Sequence, residues 1–183
     1  MMPRHHPQAV VTRHIDVTLI PDGTPEVIPA DSVVQVTQAL GGSFTLYYEG
    51  RLFRLAGSDA DAIGRTPEDA PTLPDDLSDA EIESLIWTQL RTCYDPEIPI
   101  NIVDLGLVYR LDIKPGENNQ LDIELEMTVT APGCGMGTVI AQDAGAKIDS
   151  LPRIGHIRIE LVYDPPWDRS MMSEAALLQT GMM

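Results

Sequence analysis

Three clusters of side chains in this 183-residue chain have types and spacings that could do chemistry. The first is Cys134, set in the run Thr130-Ala131-Pro132-Gly133-Cys134-Gly135-Met136-Gly137. It follows an alternating stretch, residues 121–130, and opens a helical pattern that continues through Ile140 and Ile148. A thiol at such a junction faces the free amides of a helix start, which stabilise a thiolate. The surrounding glycines let the backbone bend sharply and leave the sulfur reachable by a metal or a partner. A small residue filling a tight turn is the plain alternative. As a nucleophile Cys134 would need a base; His156, at the start of the last predicted strand, is the one candidate nearby, and no third orienting residue declares itself. The spacing of Gly133, Gly135 and Gly137 could cradle a phosphate, but no Lys-Ser or Lys-Thr pair follows, which speaks against a nucleotide-binding loop. A lone exposed thiolate suits a soft metal best, provided that other ligands come from a second chain, a partner or a small thiol.

The second cluster is Asp95-Pro96-Glu97-Ile98-Pro99, in which a proline on each side of Glu97 stiffens the loop. Asp95 and Glu97 could act as acid/base groups, as hard metal ligands or as turn formers, and spacing alone favours the turn role. The third is Asp164-Pro165-Pro166-Trp167-Asp168-Arg169-Ser170-Met171-Met172. Trp167, Met171 and Met172 read either as cover over the end of a sheet or as a docking surface for a partner.

Two pieces must position these groups. The N-terminal one reads as a small all-β domain, residues 1–65: residues 14–20 alternate, Pro21-Asp22-Gly23 marks a turn, residues 33–37 are β-branched, and residues 44–48 and 51–55 flank a turn at Glu49-Gly50. Such short, punctuated strands suggest a small barrel or sandwich. His5, His6 and His14 read as ordinary terminal or surface residues. Residues 57–83 hold nine acids and one base, half of the net charge, together with three prolines. They read as a solvated connection, with the linker proper at residues 66–76.

The second piece, residues 77–183, opens with the capping box Ser78-Asp79-Ala80-Glu81 and a helix whose apolar face is Ile82, Leu85, Ile86 and Leu90. Residues 107–113 and 121–129 alternate around a turn at 114–119 and read as a hairpin. Ile140, Ala144 and Ile148 form one stripe of a second helix, Ile157, Ile159 and Leu161 a further strand, and residues 170–179 a terminal helix. The expected fold class is α+β, a small mixed sheet covered by helices in the order α-β-β-α-β, preceded by the all-β domain.

Composition excludes some roles. With 28 acids against 12 Lys+Arg the formal charge is −16, a field that repels phosphate backbones and anionic lipid; neither nucleic acid nor membrane is an expected partner. No apolar run approaches the length of a membrane span, and the first residues lack the apolar core of a secretory signal, so the expected location is the cytoplasm. Cys93 and Cys134 lie too far apart for a zinc knuckle and, in a reducing cytosol, are expected to stay unpaired.

Residues 95–109, the cysteine loop at 128–137, and Asp164-Pro165-Pro166-Trp167 together resemble the SufT group of iron–sulfur cluster assembly proteins. That group sits in a wider domain family with PaaD and the eukaryotic cytosolic iron–sulfur targeting factors. The resemblance extends over nearly the whole chain: residues from about 77 onward carry the wider family's pattern, and residues 36–45 are similar to the N-terminal region that marks the SufT group. It implies an accessory factor for maturing iron–sulfur proteins, without catalytic turnover of its own. Cys134 then matches the family's reactive cysteine and Asp95 and Glu97 its acidic loop, the three together being the implied contacts for iron or a labile iron–sulfur cluster. The implied partners are iron–sulfur client proteins and cluster carriers or scaffolds, and a homodimer would bring two copies of Cys134 together. A metal-free adaptor that joins client to carrier is the alternative.

Overall fold

The computed structural model describes residues 7–67, 73–74, 76–95, 98–131 and 135–181. The chain divides between Pro71 and Thr72 into two compact units, each with its own apolar core.

The first unit is one antiparallel sheet of six strands: β1 (Gln8–Val10), β2 (Ile15–Ile20), β3 (Pro25–Ile28), β4 (Val33–Leu40), β5 (Ser43–Tyr48) and β6 (Arg51–Ala56), in the order β1-β4-β5-β6-β2-β3. Alternation decides its core: Ile15 and Val17, Val34 and Val36, and Phe53 and Leu55 point to one face and are buried. The sheet is open rather than a closed barrel, because β1 and β3 are its outer strands. The acidic stretch expected to be a solvated connection begins later than residue 57. A 3-10 turn over Gly57–Ile63 buries Ala60, Ala62 and Ile63, while Asp59 and Asp61 turn outward onto Arg13 at 2.7 and 2.9 Å. Its apolar residues, too few to show a period, were hidden among the acids. His14 is exposed, as expected, and its Nδ1 accepts from the Ala30 amide at 3.1 Å; His5 and His6 lie outside the described residues.

The second unit is α+β. Helix α1 (Asp79–Leu90) leads through a loop to β7 (Val108–Pro115) and β8 (Leu121–Met127), which pair antiparallel; α2 (Met136–Asp149) then crosses to β9 (Ile154–Leu161), parallel to β8. The sheet order is β7-β8-β9, so the expected small mixed sheet under helices is the fold found. Leu121, Ile123, Leu125 and Met127 of β8 meet Ile82, Ile86 and Leu90 of α1 and Ile140, Ala144 and Ile148 of α2 in one core. Gly145 sits inside α2 despite its helix cost because a Cβ there would come within 3.3 Å of Ile159 Cδ1; Gly137, two turns earlier, would press Leu161 and Val129 at 3.0 Å. Small residues thus let α2 lie close on β9.

The terminal helix is shorter than expected. Asp168 Oδ1 accepts from the Ser170 amide at 2.6 Å and sets a 3-10 turn over Arg169–Met171; Met172 is extended, and Ser173 caps α3 (Glu174–Thr180) by accepting from the Ala176 amide.

At α1 the Ser78 hydroxyl and amide both donate to Glu81 Oε2, at 2.6 and 2.8 Å. These two bonds, the hydroxyl's first, hold the Glu81 carboxyl below its ordinary value of 4.5. A folded-state pKa below the unfolded one contributes stability that is complete above the unfolded value and lost as pH falls through the folded one. Ser78→Ala is therefore expected to lower the urea midpoint at neutral pH, and the gap from the parent should narrow as the pH drops below 4.5, as read by circular dichroism.

Candidate functional site

The loop after α1 is built on its own backbone. Cys93 is fully buried, its Sγ–H donates to the Gln89 carbonyl at 3.6 Å, and its carbonyl accepts from the Ile102 amide at 2.9 Å. This cysteine is a core residue, so it cannot supply a second surface thiol. Tyr94 bridges to Asn101, and the Asp95 amide donates to the Ile100 carbonyl at 3.2 Å. The Asp95 side chain, 3% exposed, accepts from the Ile98 amide at 2.9 Å, the turn role that its spacing favours. Glu97 lies outside the described residues.

Residues 101–107 form the next device. Asn101 Oδ1 accepts from the Asp104 amide at 2.9 Å while its Nδ2 donates to Asp104 Oδ2 at 2.6 Å, closing a single turn. Gly106 ends that turn at φ +73, and Leu107 returns its amide to Ile102 at 2.9 Å. A Cβ at Gly106 would stand 2.2 Å from the Met171 carbonyl oxygen, so only glycine lets the tail come this close.

The third cluster joins here. Trp167 Nε1 donates to the Leu105 carbonyl at 2.7 Å, the Ser173 amide to the Asp104 carbonyl at 2.8 Å, and the Tyr109 hydroxyl to the Pro165 carbonyl at 2.8 Å. Trp167 is half-buried against the core and Met172 is 7% exposed, so Met172 offers no docking surface. Met171 is half-buried, with its sulfur 3.5 Å from the Tyr109 hydroxyl. Of the two sequence readings, the geometry realises the cover over the sheet end.

The cysteine segment hangs from the same loop. The buried Thr128 donates its amide to the Leu107 carbonyl at 2.8 Å, and Val129 is buried. Cys134, with Pro132 and Gly133, lies outside the described residues; the chain resumes at Gly135, the N-cap of α2. That cap gives no side-chain hydrogen bond, and the first turn holds no acid; the first amides of a helix have no intrahelical partner. The nucleophile–base reading of Cys134 with His156 rests on a cysteine outside the described residues. Gly137 lies against Leu161 and Val129, and His156 is exposed on β9.

Leu105 and Gly106 thus hold the third cluster, and Leu107 the start of the cysteine segment. Sequence reading missed them as a hub; the glycine, amid apolar neighbours, was the available signal. Gly106→Ala is expected to cost the second unit at least about 2 kcal/mol, from left-handed strain plus the clash with Met171. Gly181→Ala, at φ +66 with nothing near its Cβ, should show the smaller loss from strain alone, both read from urea midpoints.

Residues 83–161 match the family model described as "Iron-sulfur cluster assembly protein". A protein of Porphyromonas gingivalis called "Fe-S protein maturation auxiliary factor" is 39% identical over 103 residues, covering 56% of this chain and 94% of that protein. The "Fe-S protein maturation auxiliary factor SufT" of Staphylococcus aureus is 34% identical over 88 residues, 48% of this chain and 96% of the relative. Among solved structures, a domain of unknown function from Bacillus anthracis matches with TM-score 0.48 and 32% identity, covering 57% of this chain and 95% of its own.

Proposed function

The chain belongs to the iron–sulfur cluster assembly protein family, and from that premise we propose that it is an auxiliary factor in the maturation of iron–sulfur proteins. The observation that carries this reading is the 39% identity across 94% of a relative whose name states that role. In this reading Cys134 is the working group, making a transient contact with iron, with a labile cluster in transit, or with the cluster-bearing site of a client. A thiol one residue ahead of an uncapped helix start is favoured as thiolate, the form that binds metal. Asp95 shapes the neighbouring loop, and Glu97 offers a hard oxygen within it.

The chain brings one usable thiol, since its other cysteine is in the core. A cluster is ordinarily held by four cysteines, so the missing ligands come from a client, a carrier or scaffold protein, or a second copy. Incomplete ligation suits cargo that must be released, and it requires no turnover of substrate by the chain itself. The cytoplasm is the place this reading gives the work; among the described residues no helix is long and apolar enough to cross a membrane.

Anaerobic incubation with iron and sulfide tests the cysteine's part. The parent is expected to take up iron with a visible cluster spectrum and to raise the activity of an iron–sulfur client, and Cys134→Ser to do neither while keeping its circular dichroism. A variant that matures the client fully would overturn the cysteine-centred mechanism. A parent that matures its client without binding iron would instead make it an adaptor.

A further inference from the structure

The outer edge of β9 has the makings of a symmetric joint. β9 is an outer strand of its sheet, and among the described residues no backbone hydrogen bond reaches its far side. The Val162 amide donates inward to the Met127 carbonyl at 2.9 Å, so by strand alternation Arg158 and Glu160 also turn their peptide groups toward β8. Those of Ile157, Ile159 and Leu161 therefore face outward, three consecutive open hydrogen-bonding positions. The opposite edge is guarded: β7 carries a bulge between Val108 and Arg110 and ends on Pro115. β9 holds no proline, and its irregularity lies at its start, before Ile157.

Side chains add to the backbone argument. On the helix side, Ile157, Ile159 and Leu161 are only partly buried and form one wall of an open apolar groove whose other wall includes Ala141 and Gly145 of α2. On the opposite side, His156, Arg158 and Glu160 are exposed.

We propose that β9 pairs antiparallel with β9 of a second copy of this chain, about a two-fold axis through Ile159, joining two three-stranded sheets into one of six. Three features select that register. Ile159 would exchange two backbone bonds with its own copy, and Ile157 with Leu161 of the second copy, so that every outward peptide group is satisfied. Arg158 would stand opposite Glu160 of the second copy, twice by symmetry. An axis at Arg158 would put like charges face to face, as would one at Glu160. The two apolar grooves would also meet on the same side of the joined sheet. Within one chain Arg158 already reaches Glu160 at 3.2 Å, an exposed pair of little worth that can exchange partners.

The joint bears on cargo. Gly137, three residues after Cys134 in the sequence, lies against Leu161. In the proposed register Leu161 and its symmetry mate lie about 13 Å apart along the sheet, four residues at strand rise. Gly137, three residues past the cysteine, then lies toward opposite ends of the interface in the two copies. The pairing itself stands independently of the iron–sulfur reading.

Sedimentation equilibrium of the full chain, iron-free and with reductant at physiological salt, tests it. Screening over about 8 Å mutes the net charge while leaving abutting pairs attractive. The parent is expected to dimerise in the micromolar range. Arg158→Glu or Glu160→Arg alone should each weaken the dimer about ten-fold, two pairs turning from attraction to repulsion. The double exchange Arg158→Glu with Glu160→Arg should restore it to near the parent's constant. Cys134→Ser should dimerise as the parent does, which separates this joint from the cysteine's role. Unchanged circular dichroism would exclude misfolding as the cause of weakening. A parent monomeric throughout, or a dimer indifferent to both charge reversals, overturns the proposal.

Discussion

The close approach of the tail to Gly106 is the contact on which the rest of the second unit's site depends. A loop residue at φ +73 with no side chain lets the Met171 carbonyl lie where a Cβ would be. Once the tail is that near, the Trp167 indole reaches the Leu105 carbonyl and the Ser173 amide the Asp104 carbonyl, at 2.7 and 2.8 Å. The loop is then pinned from the C-terminal side, and its next residue, Leu107, presents a fixed carbonyl to Thr128, where the cysteine segment begins. A bulkier residue at 106 would force apart segments more than sixty positions distant in sequence. Burial of apolar surface alone could not align them, because it is not directional.

Two carboxylates in this region serve structure first. Asp95 bonds its loop's own amide from a site only 3% exposed, and Asp104 closes a one-turn pair with Asn101. Burying Asp95 is tolerable because it meets a hydrogen-bond donor that offsets its lost hydration. In the proposed role such rigidity matters: one thiolate does not enclose cargo, so affinity comes from holding a single ligand in a fixed attitude toward a partner that supplies the rest.

The second unit's sheet divides its labour by face. Alternation sends Leu121, Ile123, Leu125 and Met127 toward both helices and leaves Asp122, Glu124 and Glu126 on the other side, where Lys114 and Arg110 from β7 answer two of them. Three strands leave two edges and only one is guarded. The first unit is an open six-stranded sheet packed on a 3-10 turn, with Arg13 holding the turn's two aspartates.

What was legible in the amino-acid order was whatever depends on neighbours a few residues away. The capping box at Ser78, the stripe Ile140-Ala144-Ile148, the alternation of β8 and β9 and the hairpin at Glu49-Gly50 follow from local periodicity and turn chemistry, and each is present. The family resemblance also rested on contiguous runs. Distant partners were not legible. Nothing near Cys93 in the sequence announced its zero exposure, and Met172 resembled a docking residue until it entered the core. Trp167 became a strut, and residues 57–63 joined a core their acids had disguised. A side chain's accessibility and the far end of its hydrogen bond are set by which segments meet in space. That is a cooperative outcome of the whole packed chain, which the local period of one strand or helix does not encode.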